Sequence, residues 1–165
     1  MRFRKLKENA RLCWRKYFFL GLLCVFWAGN IQAQNPVTVT ILQDIDFGAF
    51  AVSGSGGTIT VSSEGVRSAT GGVVLLGDEY HAGLFRVEAP NGSYLNLDSG
   101  LPATLHGSSG GQMNVELDET YPAFPFNTIA PFHDFQFGAT LTVGSAGETP
   151  PGAYNGSFEI VLSYD

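Results

Sequence analysis

The pentapeptide Gly107-Ser108-Ser109-Gly110-Gly111 matches the G-x-S-x-G pattern of a serine nucleophile. That pattern activates a serine only on a tight turn between a strand and a helix of an α/β sheet. Here residues 113–117 alternate as a strand does, and the chain of 165 residues is short for such a hydrolase. We therefore interpret the segment as a glycine–serine hairpin loop, and the protein is predicted not to be an enzyme.

Metal chemistry has equally little support from the spacing of the ligand-type residues. The three histidines, His81, His106 and His133, are far apart and lack the short paired spacing of a zinc site. Three acidic pairs offer oxygen ligands for calcium, but none fits a calcium-binding loop. The pairs are Asp44 with Asp46, Asp78 with Glu79, and Asp118 with Glu119. A solvated acidic surface is favoured, and no catalytic, cofactor or metal residue is assigned.

The beginning of the chain has the order of a secretory signal. Seven basic residues precede the apolar run of residues 18–28, and Ala33 offers a small residue at a cleavage position. The run is shorter than the span of about 20 residues that a membrane helix needs. The sequence therefore predicts a signal peptide over residues 1–33, export of residues 34–165 as one domain, and no membrane span after cleavage.

Removal of that segment changes the charge of the protein. Of nine Lys and Arg residues only Arg67 and Arg86 remain, against fourteen of the fifteen acidic residues, which gives a net charge of −12. Binding to nucleic acid is excluded, because neutralising phosphates needs clustered basic residues. Both cysteines, Cys13 and Cys24, are also removed. A domain of 132 residues is large enough to fold without disulfides.

Period-two alternation of apolar and polar residues dominates the remaining chain and predicts an all-β sandwich. The alternating runs lie near residues 37–41, 58–62, 85–89, 112–118 and 135–143. The continuous apolar run of residues 72–76 predicts a strand that is buried on both faces. Glycine-containing turns are predicted at residues 53–57, 91–92, 107–111 and 155–156.

The C-terminal residues predict a final strand with one apolar face. Phe158, Ile160, Leu162 and Tyr164 alternate with residues that are polar apart from Val161. Such a strand must pair with a sheet, which belongs either to its own domain or to another molecule.

Residues 121–133 differ from the rest because they are rich in proline and aromatic residues. The prolines exclude a central strand, so a connecting loop is predicted. Its aromatic side chains either cap the core, which is favoured, or form an exposed patch that binds a ligand or partner. The candidate binding residues are Tyr121, Phe124, Phe126 and Phe132.

Several short motifs together resemble the bacterial domain-of-unknown-function family 4402, which is itself similar to fimbrial (pilin) and spore-coat-U-type subunits. The motifs are Asp46-Phe47-Gly48, Thr58-Ile59-Thr60-Val61, Gly65-Val66-Arg67, Phe137-Gly138-Ala139-Thr140-Leu141 and Gly152-x-Tyr154-x-Gly156-x-Phe158. The resemblance implies an immunoglobulin-like or pilin-like Greek-key β-sandwich with a structural role. It also implies a location in the periplasm, on the outer-membrane surface or outside the cell.

The ending also resembles that of pilins assembled by a chaperone, with Gly152 fourteen residues from the end and Tyr164 in the penultimate position. The resemblance implies an assembly strand formed by Gly152, Tyr154, Phe158, Ile160, Leu162 and Tyr164. In such proteins this strand pairs with a periplasmic chaperone and lines a groove that a neighbour's strand fills. The chain differs from pilins because the disulfide is absent and residues 37–41 fit a first strand of the domain itself. Complementation by another chain and a self-complete sandwich therefore both remain open.

Two functions follow from these patterns. The first is a non-enzymatic, secreted structural or assembly subunit of the bacterial cell envelope, which associates by strand addition. Its partners are copies of itself, related subunits or a periplasmic chaperone. The alternative is an adhesin-like or carbohydrate-binding module that uses the aromatic loop of residues 121–133.

Overall fold

The computed structural model describes residues 36–98 and 102–165, so the predicted signal peptide lies outside the described residues. Eleven strands and no helix are found within the described ranges, and this part of the chain contains no helix that could cross a membrane. The all-β prediction is therefore confirmed. The strands are β1 (Thr38–Gln43), β2 (Ala49–Val61), β3 (Arg67–Leu76), β4 (Gly83–Glu88), β5 (Tyr94–Asp98), β6 (Ala103–Gly107), β7 (Gln112–Tyr121), β8 (Phe126–Asn127), β9 (Phe132–Val143), β10 (Tyr154–Asn155) and β11 (Val161–Tyr164).

Strand β9 is the centre of the larger sheet. Its residues alternate between a buried face, with Phe135, Phe137 and Leu141, and an outer face that is mostly polar. One edge of β9 pairs with β7, while the other edge is shared by β4 at residues 132–137 and by β2 at residues 139–143. Because the second edge is divided in this way, the single strand β9 pairs with three other strands.

The strands form two antiparallel sheets in a sandwich-like arrangement. The larger sheet has the order β1-β4-β9-β7-β6-β10, with β2 and β3 attached through β9, and the smaller sheet has the order β11-β5-β8. The apolar residues form two clusters. The first cluster lies between the two sheets, around Phe85, Leu95 and Phe135. The second lies on the inner face of β2, β7 and the second half of β9, around Ile59, Met113 and Leu141.

At Gly138 the neighbour along one edge of β9 changes from β4 to β2. A Cβ atom at this position would lie 2.5 Å from the carbonyl oxygen of Val61, so only glycine allows the backbones to approach this closely. Phe137, immediately before it, lies in the region where the two clusters meet, and its ring contacts both Phe85 and Phe158.

The prediction that residues 72–76 are buried on both faces is wrong. Strand β3 pairs with β2 alone, and its alternate side chains Val74 and Leu76 are 57% and 47% exposed. The other face, with Val73 and Leu75, packs against the second cluster. An apolar run of this length fits either a central strand or an edge strand, and the sequence does not distinguish the two cases.

Two of the predicted turns are also wrong. Residues 53–57 lie inside β2, where the pairing register with β3 shifts and Gly56 has a positive φ of 65°. They form a bulged region of one long hairpin rather than its end. Residues 155–156 do not form a hairpin turn either, because Asn155 pairs with His106 in β6 and the chain continues toward the smaller sheet. The turn at Asn91-Gly92 is confirmed, with a φ of 86° at Gly92.

Replacing Phe137 by alanine should lower the free energy of unfolding by about 3–5 kcal/mol, because it leaves a cavity between the two clusters. The neighbouring substitution Gln136→Ala, on the exposed outer face, should change it by less than about 0.5 kcal/mol. Urea denaturation, followed by far-UV circular dichroism, measures the free energy of unfolding of both variants. Equal stability of the two variants would contradict the central position of Phe137.

Candidate functional site: an open apolar groove

The C-terminal residues cross from one sheet to the other. Strand β10 pairs with β6 in the larger sheet, and β11 pairs with β5 in the smaller sheet. The intervening residues 156–160 belong to neither ladder, so the final strand is shorter than the predicted alternation from Phe158 to Tyr164. The predicted apolar face is retained in part, because Phe158, Ile160 and Leu162 pack against the core while Tyr164 is exposed.

Strand β1 is the first strand of this domain's own larger sheet. It pairs antiparallel with β4, with Val39 opposite Val87 and Ile41 opposite Phe85. Paired residues of adjacent strands point to the same face of a sheet, and Val87 and Phe85 are completely buried. Val39 and Ile41 therefore face the interior, but they are 40% and 51% exposed. No described strand of the smaller sheet covers them.

The uncovered region is a groove of about 1290 Å³. One wall consists of Val39, Ile41 and the chain from Asp44 to Val52. The opposite wall consists of residues 149–160, including the assembly-strand candidates Gly152, Tyr154, Phe158 and Ile160. The floor is the inner face of the larger sheet, with Ala103, Leu105, Met113, Val115, Phe137 and Leu141. The groove therefore reaches side chains of the hydrophobic core.

Strand edges border both sides of this groove. Strand β1 pairs only with β4, and β10 pairs only with β6, among the strands of the described ranges. Exposed strand edges of this kind accept a further strand through backbone hydrogen bonds.

Local contacts hold the C-terminal wall in place. The Tyr154 hydroxyl donates a hydrogen bond of 2.7 Å to the carbonyl oxygen of Pro150. The Phe158 ring meets the Phe137 ring edge to face, with 5.5 Å between the ring centroids. Gly152 lies beside the Ser108 side chain in the β6–β7 loop, where a Cβ atom would be only 2.7 Å from the Ser108 hydroxyl oxygen. The wall is thus anchored at both ends of its crossing.

The aromatic loop of residues 121–133 divides into half-buried and exposed side chains. Phe124 stacks on Phe135 with 4.6 Å between the ring centroids, and Phe126 meets Phe135 edge to face at 5.2 Å. These two residues cap the core, as the favoured interpretation predicts. Tyr121 and Phe132 are instead 67% and 55% exposed. By pairing register both lie on the outer face of the larger sheet, Tyr121 opposite Gln136 and Phe132 opposite Glu88.

An ion pair lies on the same outer face. Arg86 donates hydrogen bonds of 2.6 and 2.8 Å to the two carboxylate oxygens of Asp134, and its guanidinium lies 5.0 Å from the centroid of the Phe132 ring. The hydrogen bond from Arg86 lowers the pKa of Asp134 below its ordinary value of 3.8. The outer face therefore combines two exposed aromatic rings with fixed polar groups.

The residues with catalytic or ligand chemistry do not form a common site in the described ranges. Ser109 lies in the turn that joins β6 to β7, which confirms the hairpin interpretation of residues 107–111. His133 accepts hydrogen bonds from the backbone amides of Ile129 and Ala130 at its Nε2 atom, so it stabilises a turn. No group of three or more metal-ligating side chains is found in residues 36–98 and 102–165.

The comparison with protein families gives one match. Residues 37–164 match the family described as "Domain of unknown function (DUF4402)", and the chain belongs to this family. No curated protein and no solved structure matches this chain.

Sequence reasoning missed the floor and the N-terminal wall of the groove. Met113 and Val115 fit an ordinary core strand, and nothing in their spacing indicates that the covering layer is incomplete. The alternation of Val37, Val39 and Ile41 was a usable signal for a strand. Its exposure depends on which strand lies opposite, and only the sheet order gives that information.

The Arg86–Asp134 pair should make stability depend on pH at the acidic end. Because the pKa of Asp134 is lowered in the folded state, its stabilising contribution is complete above the ordinary pKa of 3.8 and is lost as pH falls through the lower folded value. Asp134→Asn should therefore reduce the unfolding free energy at pH 6, and its difference from wild type should shrink below about pH 4. Denaturant titrations across this pH range provide the measurement. Arg86→Gln should reproduce the effect, and a difference that is constant with pH would contradict it.

Proposed function

We propose that this protein is a non-enzymatic, exported structural or assembly subunit of the bacterial cell envelope, which associates with partners by β-strand addition. The main support is one observation: Val39 and Ile41 point toward the core and are nevertheless exposed in a groove. A groove that exposes core-facing side chains is suited to a strand that completes the sandwich. The order of basic and apolar residues at the N-terminus supports export.

Strand addition would cover the exposed apolar floor of the groove and pair the strand edges at its walls. An incoming strand with alternating apolar residues would cover the groove floor, and each side chain that it fully buries would contribute about 1.5–3 kcal/mol. Its backbone would hydrogen-bond to the strand edges along the groove walls. Copies of this chain, related subunits and a chaperone are all compatible with this mode of association.

The position of β1 limits how the association works. Since β1 pairs with its own β4, residues 37–41 are used inside their own domain in this structure. The proposal therefore assigns this domain the role of acceptor. It does not require that β1 leaves its sheet to act as a donor.

Ile41→Glu should prevent association because it places a charge on the groove wall, whereas Thr40→Glu should not. Both residues are exposed on β1, but Thr40 is opposite Arg86 on the outer face of the sheet. We expect the wild type and Thr40→Glu in cell-envelope extracts to form complexes that survive on denaturing gels when the samples are not boiled. Boiling should convert these complexes to monomers. Ile41→Glu should remain at the monomer position.

Thermal unfolding of the purified variants serves as the control, since both substitutions are at exposed positions and both proteins should fold. A wild-type protein that migrates only as a monomer in such extracts would contradict strand addition. Equal behaviour of the two glutamate variants would show that the groove is not the site of association.

A second candidate function, carbohydrate binding, is favoured by the exposed aromatic residues on the outer face. Tyr121 and Phe132 lie on the same face of the larger sheet, with Gln136 and the Arg86–Asp134 pair between them. Flat aromatic rings next to fixed hydrogen-bonding groups suit the alternating apolar and polar surfaces of sugar rings. This face is distinct from the groove, so the two functions are separable by mutation.

Phe132→Ala and Tyr121→Ala should each weaken binding to polysaccharide by about tenfold or more if the outer face is a carbohydrate site, because each removes a stacking surface. Affinity electrophoresis in gels that contain soluble polysaccharides measures the change. Val74→Ala, an exposed apolar residue on β3, is the matched control and should leave retardation unchanged. Absence of retardation of the wild type by every polysaccharide would argue against this candidate.

A further inference from the structure

The groove that we assign to strand addition has an acidic border. Asp44 and Asp46 lie on the N-terminal wall, Glu159 lies on the C-terminal wall, and no lysine or arginine is among the lining residues. Asp44 and Glu159 are exposed. Any strand that enters this groove therefore passes carboxylates on both sides, and its own charges determine whether the encounter is favourable.

The described part of the chain has no basic residue that is free to compensate these charges. Arg67 donates hydrogen bonds to the carbonyl oxygens of Phe47 and Gly77 and stacks on the Tyr80 ring. Arg86 is paired with Asp134. A second copy of the domain would therefore approach the groove with a large excess of negative charge and no available cation.

The length of the site limits the size of the occupant. Strand β1 is six residues long, and the crossing segment of residues 156–160 lines the opposite side. A strand that runs along these two edges would need about seven residues in extended conformation, or about 23 Å. It would place about three alternate side chains over the apolar floor.

We propose that the occupant of this groove is an extended strand of a different protein, with alternating apolar residues and lysine or arginine at its ends. This inference rests on the proposed function, since it names the partner class for the same groove. The apolar residues contact the floor around Leu105, Met113 and Leu141, and the flanking cations face Asp44, Asp46 and Glu159. The backbone of the strand pairs with the adjacent strand edges.

Three synthetic peptides with the same alternating valine–threonine core of seven residues test this inference. Two lysines, two serines or two glutamates flank the core at each end, and fluorescence anisotropy measures binding to the purified protein. At low ionic strength we expect the lysine peptide to bind about tenfold more tightly than the serine peptide, and the glutamate peptide to bind most weakly. The differences should decrease at 0.5 M salt, because exposed charges are then screened.

A pair of charge variants locates the effect in the groove. Asp44→Asn combined with Glu159→Gln should remove most of the preference for lysine over glutamate. Glu116→Gln combined with Glu119→Gln makes the same change in net charge on β7, whose acidic side chains are not among the lining residues, and should preserve the preference. Equal loss in both double variants would show that the preference reflects the overall charge of the protein, which would overturn the inference.

A fourth peptide separates failure of this inference from failure of strand addition. It has the lysine sequence with N-methyl groups on alternate amides, which prevents backbone pairing without changing charge, and it should not bind. If the serine, lysine and glutamate peptides bind equally and the methylated peptide does not, strand addition stands and the cationic partner is excluded. If the methylated peptide binds as well as its parent, or if no peptide binds, both proposals fail.

Discussion

Strand β9 has two edges but three neighbours, and the rest of the structure follows from how it accommodates them. Strand β7 occupies one edge, while β4 and β2 divide the other between the first and second halves of β9. The division occurs at Gly138, where the backbone of Val61 leaves no room for a side chain. Because β4 carries β1 and β2 carries β3, two separate wings extend from the same edge of this central strand.

The two clusters of the core are covered unequally. The smaller sheet, with β5 and β11, covers the cluster around Phe85 and Phe135. The second cluster, around Ile59 and Leu141, receives side chains from the β2–β3 hairpin and from the crossing segment of the C-terminal residues, but it has no complete second layer in the described ranges. The groove lies over this incomplete region and extends to the core-facing residues Val39 and Ile41, which line it and are exposed.

The groove has an acidic border. The acidic residues are spread over strand ends and loops, and the groove border includes three of them. Both arginines of the described ranges are engaged in contacts inside the domain. An apolar opening with an uncompensated acidic border favours an occupant that provides both apolar side chains and positive charge. The outer face of the same sheet differs, because its arginine is paired with Asp134 and two exposed aromatic rings lie on it.

Local patterns predicted most strands because a strand with one buried face imposes a period of two on its residues. The alternation at residues 112–118 and 135–143 correctly indicated β7 and β9, and the capping role of Phe124 and Phe126 also agreed with the favoured interpretation. Patterns failed where the same residues suit two environments. The glycines of residues 53–57 permit a turn or a bulge, and residues 72–76 fit a central or an edge strand.

The sequence by itself determined the all-β class, the acidic charge and the apolar face of the C-terminal residues, because these depend on composition and on local periodicity. Only the tertiary structure decided that the C-terminal residues divide between two sheets and that β1 lies across a groove from them. Whether a core-facing residue is covered depends on contacts between segments that are more than a hundred residues apart. No local pattern contains that information, since the strand order determines which edges meet and which are left open.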